Sequence, residues 1–151
     1  MLDKFDLSIL RELQRNGRIT VTELANRVGL SKTPCQVRMR KLEDMKYIKG
    51  YMAILDQGKL GAKHVAFVKV SLTDTRSNAL EAFNDAVRDI TEIEQCHMIA
   101  ADFDYLLKVR TANIETYRTV LGEKISRLPF VQQTSTFVVM EDVKDIAHSL
   151  F

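Results

Sequence analysis

Between positions 31 and 41 this chain gathers the side chains that nucleic-acid recognition uses: Ser31, Lys32, Thr33, Gln36, Arg38, Arg40 and Lys41. Hydroxyl and amide groups exchange hydrogen bonds with base edges, arginine does the same or pairs with phosphate, and lysine serves phosphate as a point charge. Ser31, Thr33 and Gln36 fall in the first turns of an expected helix, the part that reaches base edges when a helix enters the major groove. Arg38 and Arg40 suit base or phosphate, and Lys32 and Lys41 suit phosphate. The charge distribution agrees. Residues 1–50 hold 11 Lys and Arg against 6 Asp and Glu, a net of +5, whereas residues 51–151 hold 11 against 14, a net of −3. A total of +2 therefore conceals a basic first third, and clustered cations release counterions when they neutralise phosphates.

The rest of the chain offers no rival chemistry. Cys35 and Cys96 form no closely spaced pair and are read as reduced thiols, and His64, His97 and His148 lack the spacing of metal ligands. A Gly-rich phosphate loop, an activated-serine turn and paired catalytic carboxylates are missing. Neither an enzyme nor a bound cofactor or metal is expected. No run approaches the ~20 apolar residues of a membrane span, and the N-terminus has no signal-peptide stretch. A cytoplasmic protein without a membrane partner is expected. With 151 residues there is room for one domain or two small ones.

Three helices must position the basic cluster. The first spans about 3–16, with Phe5, Ile9 and Leu13 on one face, Asp3 as cap, a Leu2–Leu7 staple, and Asn16-Gly17 as stop. Thr20 and Glu23 form a capping box for the second, stapled by Ile19 and Leu24. Its stripe is Leu24, Ala25 and Val28, and Ala25 is small enough for another helix to cross closely. Gly29 supplies the positive φ of the turn. The third helix buries Cys35, Met39 and Leu42 and starts either at Ser31 or at Thr33-Pro34, where Gln36 would close a second capping box. This is a helix-turn-helix whose second element would read DNA. Residues 47–56 look extended, as a wing-like strand or a linker.

Beyond residue 57 the rhythm changes. Strand patterns cover 65–73, 93–100, 105–111 and 131–140. Helical stripes cover 77–90 (Leu80, Phe83, Val87, Ile90) and 114–128 (Tyr117, Leu121, Ile125, Leu128), the latter stopped by Pro129. The order βαββαβ is the ferredoxin-like split unit, whose helices cover one face of the sheet. The fold class is therefore α+β: a three-helix, winged-helix-like helix-turn-helix domain at 1–47, an extended linker strand at 48–57, and a ferredoxin-like domain at 58–151. Val65-Ala66-Phe67-Val68 and Phe137-Val138-Val139-Met140 are apolar on both faces, which calls for a second layer, most simply another subunit.

This arrangement resembles the Lrp/AsnC family of leucine-responsive, or feast/famine, transcriptional regulators. The resemblance runs over essentially the whole chain. It is carried by Leu2-Asp3, Asp6, Ile9-Leu10, Asn16-Gly17-Arg18, Leu24-Ala25, Val28-Gly29-Leu30-Ser31, Thr33-Pro34, Arg38, Leu42-Glu43, Ile48 and Gly50-Tyr51. Further on it is carried by Cys96, Met98, Asp102-Phe103-Asp104-Tyr105-Leu106-Leu107, Leu128-Pro129, Val131 and Thr134-Ser135-Thr136. It implies DNA binding by the first domain, dimerisation through the sheets of the second, and further assembly to tetramers, octamers or larger discs. It also implies an amino-acid effector near the turn between the second and third strands, at a subunit contact. The function expected is a sequence-specific regulator, activator or repressor, tuned by a small amino acid. The alternative is an amino-acid-sensing assembly or architectural protein without a specific operator.

On that basis the effector residues are Met98, Ala101, Asp102, Asp104, Thr134 and Thr136. Asp104 would hold an ammonium group, or else stabilise the turn through backbone N–H groups. Thr134 and Thr136 would donate to a carboxylate, or simply face outward, and His97 and Met98 would line the pocket. The resemblance also gives Arg38 a second reading, as an internal brace. Two positions depart from the family pattern. Ala101 replaces a glycine before the Asp-x-Asp turn, narrowing a pocket or reshaping the turn, and Lys46 replaces a glycine after the recognition helix.

Overall fold

The computed structural model describes residues 1–145, and His148 lies outside them. Two compact units form, one over Met1–Leu55 and one over Asp56–Lys144.

In the first unit, α1 (Lys4–Arg15), α2 (Val21–Val28) and α3 (Lys32–Asp44) enclose a core of Ile9, Leu13, Ile19, Leu24, Ala25, Val28, Cys35 and Leu42. Caps place the helix starts. The Asp3 carboxylate accepts from the Phe5 and Asp6 amides while Asp6 returns a bond to the Asp3 amide, a complete capping box. Thr20 caps α2 through the Glu23 amide, whereas the Glu23 carboxylate turns to Arg27. The expected capping box is thus half formed, because a cation outbids the backbone N–H. Gly29 adopts φ +72°, and the Leu30 amide donates back to Ala25. Of the two possible starts for α3, Ser31 is the one used, and Pro34 falls inside the first turn, where no N–H is needed.

The end of α3 answers the Lys46 departure. Lys46 takes a left-handed φ of +62°, its amide donates to Glu43 and the Tyr47 amide to Leu42. That is a Schellman closure made without glycine. A side chain in this region costs about 1–2 kcal/mol, part of which glycine returns as unfolded-chain entropy. Lys46→Gly is therefore expected to stabilise the first unit by about 0.5–1 kcal/mol, read as a rise in melting temperature.

In the second unit, β1 (His64–Leu72), β2 (Ile93–Met98), β3 (Tyr105–Thr111) and β4 (Val131–Val138) form one antiparallel sheet in the order β2-β3-β1-β4. Helices α4 (Ser77–Arg88) and α5 (Ile114–Glu123) supply Phe83, Val87, Tyr117 and Val120 to a core shared with Val68, Val70, Leu107 and Val109. The element order is the expected βαββαβ unit.

Three expectations need correction. No strand forms over 47–56, and among the described residues the first unit has no wing: an extended segment needs a neighbour to pair with, and this chain offers it none. The helix expected over 114–128 stops at Glu123 and resumes as a 3-10 turn at Ile125–Arg127, one residue after Gly122 weakens the last turn. The strand expected over 93–100 ends at Met98, where the Ile99 amide turns to the Asp104 carbonyl and closes the loop.

Candidate functional site

The surface of α3 is built by what its opposite side must bury. Cys35 (0% exposed) and Leu42 (1%) point inward, which leaves Ser31, Lys32, Thr33, Gln36, Arg40 and Lys41 exposed. The Ser31 hydroxyl makes no cap bond. Val37 lies among these polar groups, 61% exposed. An apolar side chain reads as core by hydropathy, but Val37 lies off the Cys35–Met39–Leu42 stripe, and that position is the signal for its exposure.

Arg38 departs from this group. Its Nη1 lies 2.7 Å from Asp3 Oδ2 and 2.7 Å from Asp6 Oδ1, and its guanidinium faces the Phe5 ring at 5.5 Å. Asp6 is buried. Of the two readings of Arg38, a base or phosphate contact and an internal brace, the structure displays the brace: its guanidinium clasps α3 to the start of α1. Arg27 clasps α2 to α1 in the same way through Glu12 at 3.0 Å, and also meets Glu23 of its own helix at 2.6 Å. At the far end of α3, the Tyr51 hydroxyl donates to Glu43 Oε1 at 3.0 Å and its ring packs beside Gly17. Burial, reinforced by Glu43, pushes the Tyr51 phenol up to about 12. The first linker residues are thereby held against the helix-turn-helix.

In the second unit the turn at 99–104 is anchored by Asp104. Its amide donates to the Val70 carbonyl at 3.0 Å, and its Oδ2 accepts from the Leu72 amide at 2.7 Å. Of the two roles considered for Asp104, the structure displays the turn-stabilising one. Ala101 and Asp102 are exposed at the tip. Among the described residues the positive-φ residues other than glycine are Lys46 and Phe130, so Ala101 does not take the left-handed backbone conformation that would favour glycine.

Register decides the threonines. Thr134 pairs with Val70 and Thr136 with Val68, so both lie on the helix-covered face, and Thr136 Oγ1 is hydrogen-bonded to the Tyr117 hydroxyl. Of the two roles considered for the threonines, the structure displays the strand one for Thr136, whose hydroxyl is already bonded within the unit. Met98, opposite Tyr105, is 57% exposed at the sheet edge on the same face. The opposite, open face carries Phe67, Lys69, Leu106 and Phe137, together with Lys108 and Arg110, which reach Glu94 at 3.7 Å and 2.5 Å. A groove of about 450 Å³ lies along α5, lined by Glu92, Glu115, Thr119, Val120 and Lys124 among others, and none of its lining residues belongs to the turn.

Among the described residues no group of His, Cys, Asp or Glu is arranged to hold a metal ion. None of the described helices is long and apolar enough to cross a membrane.

An exposed recognition helix on a helix-turn-helix, followed by a βαββαβ module, defines an effector-modulated, DNA-binding transcriptional regulator. The winged helix-turn-helix DNA-binding model matches residues 2–49, and the Lrp/AsnC ligand binding domain model matches residues 65–147. The chain belongs to the Lrp/AsnC family. It is 61% identical over 144 residues to the proline dehydrogenase transcriptional activator of Rhizobium radiobacter, covering 95% of this chain and 92% of that protein. It is 48% identical to the leucine-responsive regulatory protein of Escherichia coli K12 over 95% of this chain and 87% of that one. Among solved structures, a transcriptional regulator from Neisseria meningitidis in complex with L-Met superposes with a TM-score of 0.90 at 32% identity, covering 96% of this chain and 94% of that chain. An AsnC family regulator from Agrobacterium tumefaciens superposes with a TM-score of 0.92 at 30% identity, covering 98% and 96%. These relatives are regulators of transcription.

Proposed function

We propose that this protein activates transcription of a proline dehydrogenase gene, with L-proline as its effector. The carrying observation is near-full-length identity of 61% and 55% to two proteins named for that activity, from Rhizobium radiobacter and Rhodobacter capsulatus. A regulator of proline breakdown has reason to sense proline, a small amino acid with an uncharged side chain. In this reading Ser31, Thr33, Gln36 and Arg40 meet base edges, Val37 meets a thymine methyl, and Lys32 and Lys41 meet phosphates. The effector sits against the turn at 99–104 on its open-face side, with His97 nearby, Ala101 and Asp102 at the tip above it and Asp104 holding the turn. The protein works as a dimer that covers the open sheet face, where Phe137 is 50% exposed, and assembles further.

Mobility shifts on a proline dehydrogenase promoter, with and without L-proline, test this reading. Tighter binding to that promoter than to unrelated DNA, altered by L-proline and not by glycine, is expected. Equal affinity for both DNAs would overturn it. Affinity should fall with salt at a log–log slope near −5 if a dimer neutralises about 6 phosphates. Arg40→Ala is expected to lose about 1–3 kcal/mol on the operator alone if Arg40 reads a guanine, and to lose affinity on all sequences if it contacts phosphate.

A further inference from the structure

Lys69 stands apart from the other cations of the open sheet face. Lys108 and Arg110 both reach Glu94, whereas no carboxylate among the described residues lies within ion-pair reach of Lys69. Its Nζ instead lies 4.8 Å from the centre of the Phe103 ring and 5.4 Å from that of Phe137, and the side chain is half-buried between them. Two aromatic faces attract an ammonium group but supply no counter-charge. Phe103 belongs to the 99–104 turn, so Lys69 brings a cation to the foot of that turn. The threonines first considered for carboxylate recognition lie on the other face, Thr136 already bonded to Tyr117.

We propose that Lys69 binds the α-carboxylate of the amino-acid effector, with Phe103 and Leu106 as the apolar floor; this rests on the effector reading above. The physics also couples binding to assembly. Covering the open face with a second layer would bury an uncompensated cation, which is costly. A carboxylate bound at Lys69 removes that penalty, so the ligand favours the covered arrangement by its differential affinity for it.

Calorimetry on the full-length protein tests this with a carboxylate and its uncharged isostere. L-Proline is used first; if it does not raise the wild-type melting temperature, the L-amino acid of the twenty that raises it most takes its place. Each is paired with its carboxamide, L-prolinamide for L-proline. Wild type is expected to bind the acid roughly 10- to 100-fold more tightly than the amide, the range of a charge-assisted hydrogen bond. Lys69→Met and Lys69→Gln should lose that factor for the acid and leave the amide unchanged, and Lys69→Arg should retain most of it. Unchanged affinity for the acid in both neutral variants overturns the role of Lys69 and leaves the effector reading standing. Should those variants alter sedimentation without ligand while binding the acid normally, the counter-ion is a subunit's carboxylate, which also overturns it. No binding of any amino acid to wild type overturns both readings.

Discussion

Phe83→Ala is expected to destabilise the ligand-binding unit by about 3–5 kcal/mol, the range for deleting a buried aromatic ring. Phe83 is 0% exposed, and its ring centre lies 4.3 Å from that of Tyr105 at a tilt of 34°. The pair ties α4 to β3, and the Tyr105 hydroxyl donates to Asn84 at 2.8 Å on the same helix. Truncation opens a cavity beneath the sheet, removes the stacked ring, and leaves Tyr105 with one wall missing. Against a domain stability of about 5–15 kcal/mol, this is a large fraction. Hydrogen exchange on the full chain should show protection lost in α4, β1 and β3 while α1–α3 keep theirs. Unchanged protection in β3 would show that the pair is not central to the core.

Arg38→Ala is expected to abolish DNA binding at temperatures where wild type binds, on every sequence alike, although Arg38 does not face outward with the recognition residues. The change leaves the charge of Asp6, which is 5% exposed, without its cation and Oδ1 without its Arg38 donor, while Oδ2 keeps the Asp3 amide, and losing a partner at a buried group costs about 1–3 kcal/mol. Cooling should restore binding, which distinguishes loss of fold from loss of contact. Replacing both partners, as Arg38→Met with Asp6→Leu, should recover part of the stability, because an apolar pair leaves no buried charge unpaired. The same clasp gives an acid dependence. The Asp3 carboxyl is held below the usual carboxylate range, first by the Asp6 amide and also by Arg38. Its contribution is therefore complete above the unfolded value of about 4 and is lost as pH falls through its lowered value. Circular dichroism of Arg38→Ala across temperature and pH checks both outcomes. A wild-type melting curve with lost DNA affinity would return Arg38 to the DNA surface.

Much of the molecule was legible because helix caps, turns and stripes are local. The Asp3 cap, the left-handed Gly29, the Cys35–Leu42 face and the alternation of β1 each depend on residues within about one or two turns of each other. The exposed group Ser31, Lys32, Thr33, Gln36, Arg40 and Lys41 followed by subtraction, since a helix with one buried stripe has little freedom over what it exposes. The exposure of Val37 was not legible in the same way, because hydropathy alone does not tell a buried valine from an exposed one.

The local pattern by itself determined that α3 exists and that it starts at Ser31 or at Thr33-Pro34, and that four strands and two helices follow in the βαββαβ order. Tertiary structure alone decided where several charges and hydroxyls are spent. Arg38 meets carboxylates 35 and 32 positions away, Asp104 meets an amide 32 positions away, and Thr136 meets a phenol 19 positions away. No periodicity in the chain records such partners. Which face of the sheet holds Thr136 and which holds Lys69 is set by strand register. A shift of one residue would exchange the two, and the register is fixed only when β1, β3 and β4 bury their common face against α4 and α5.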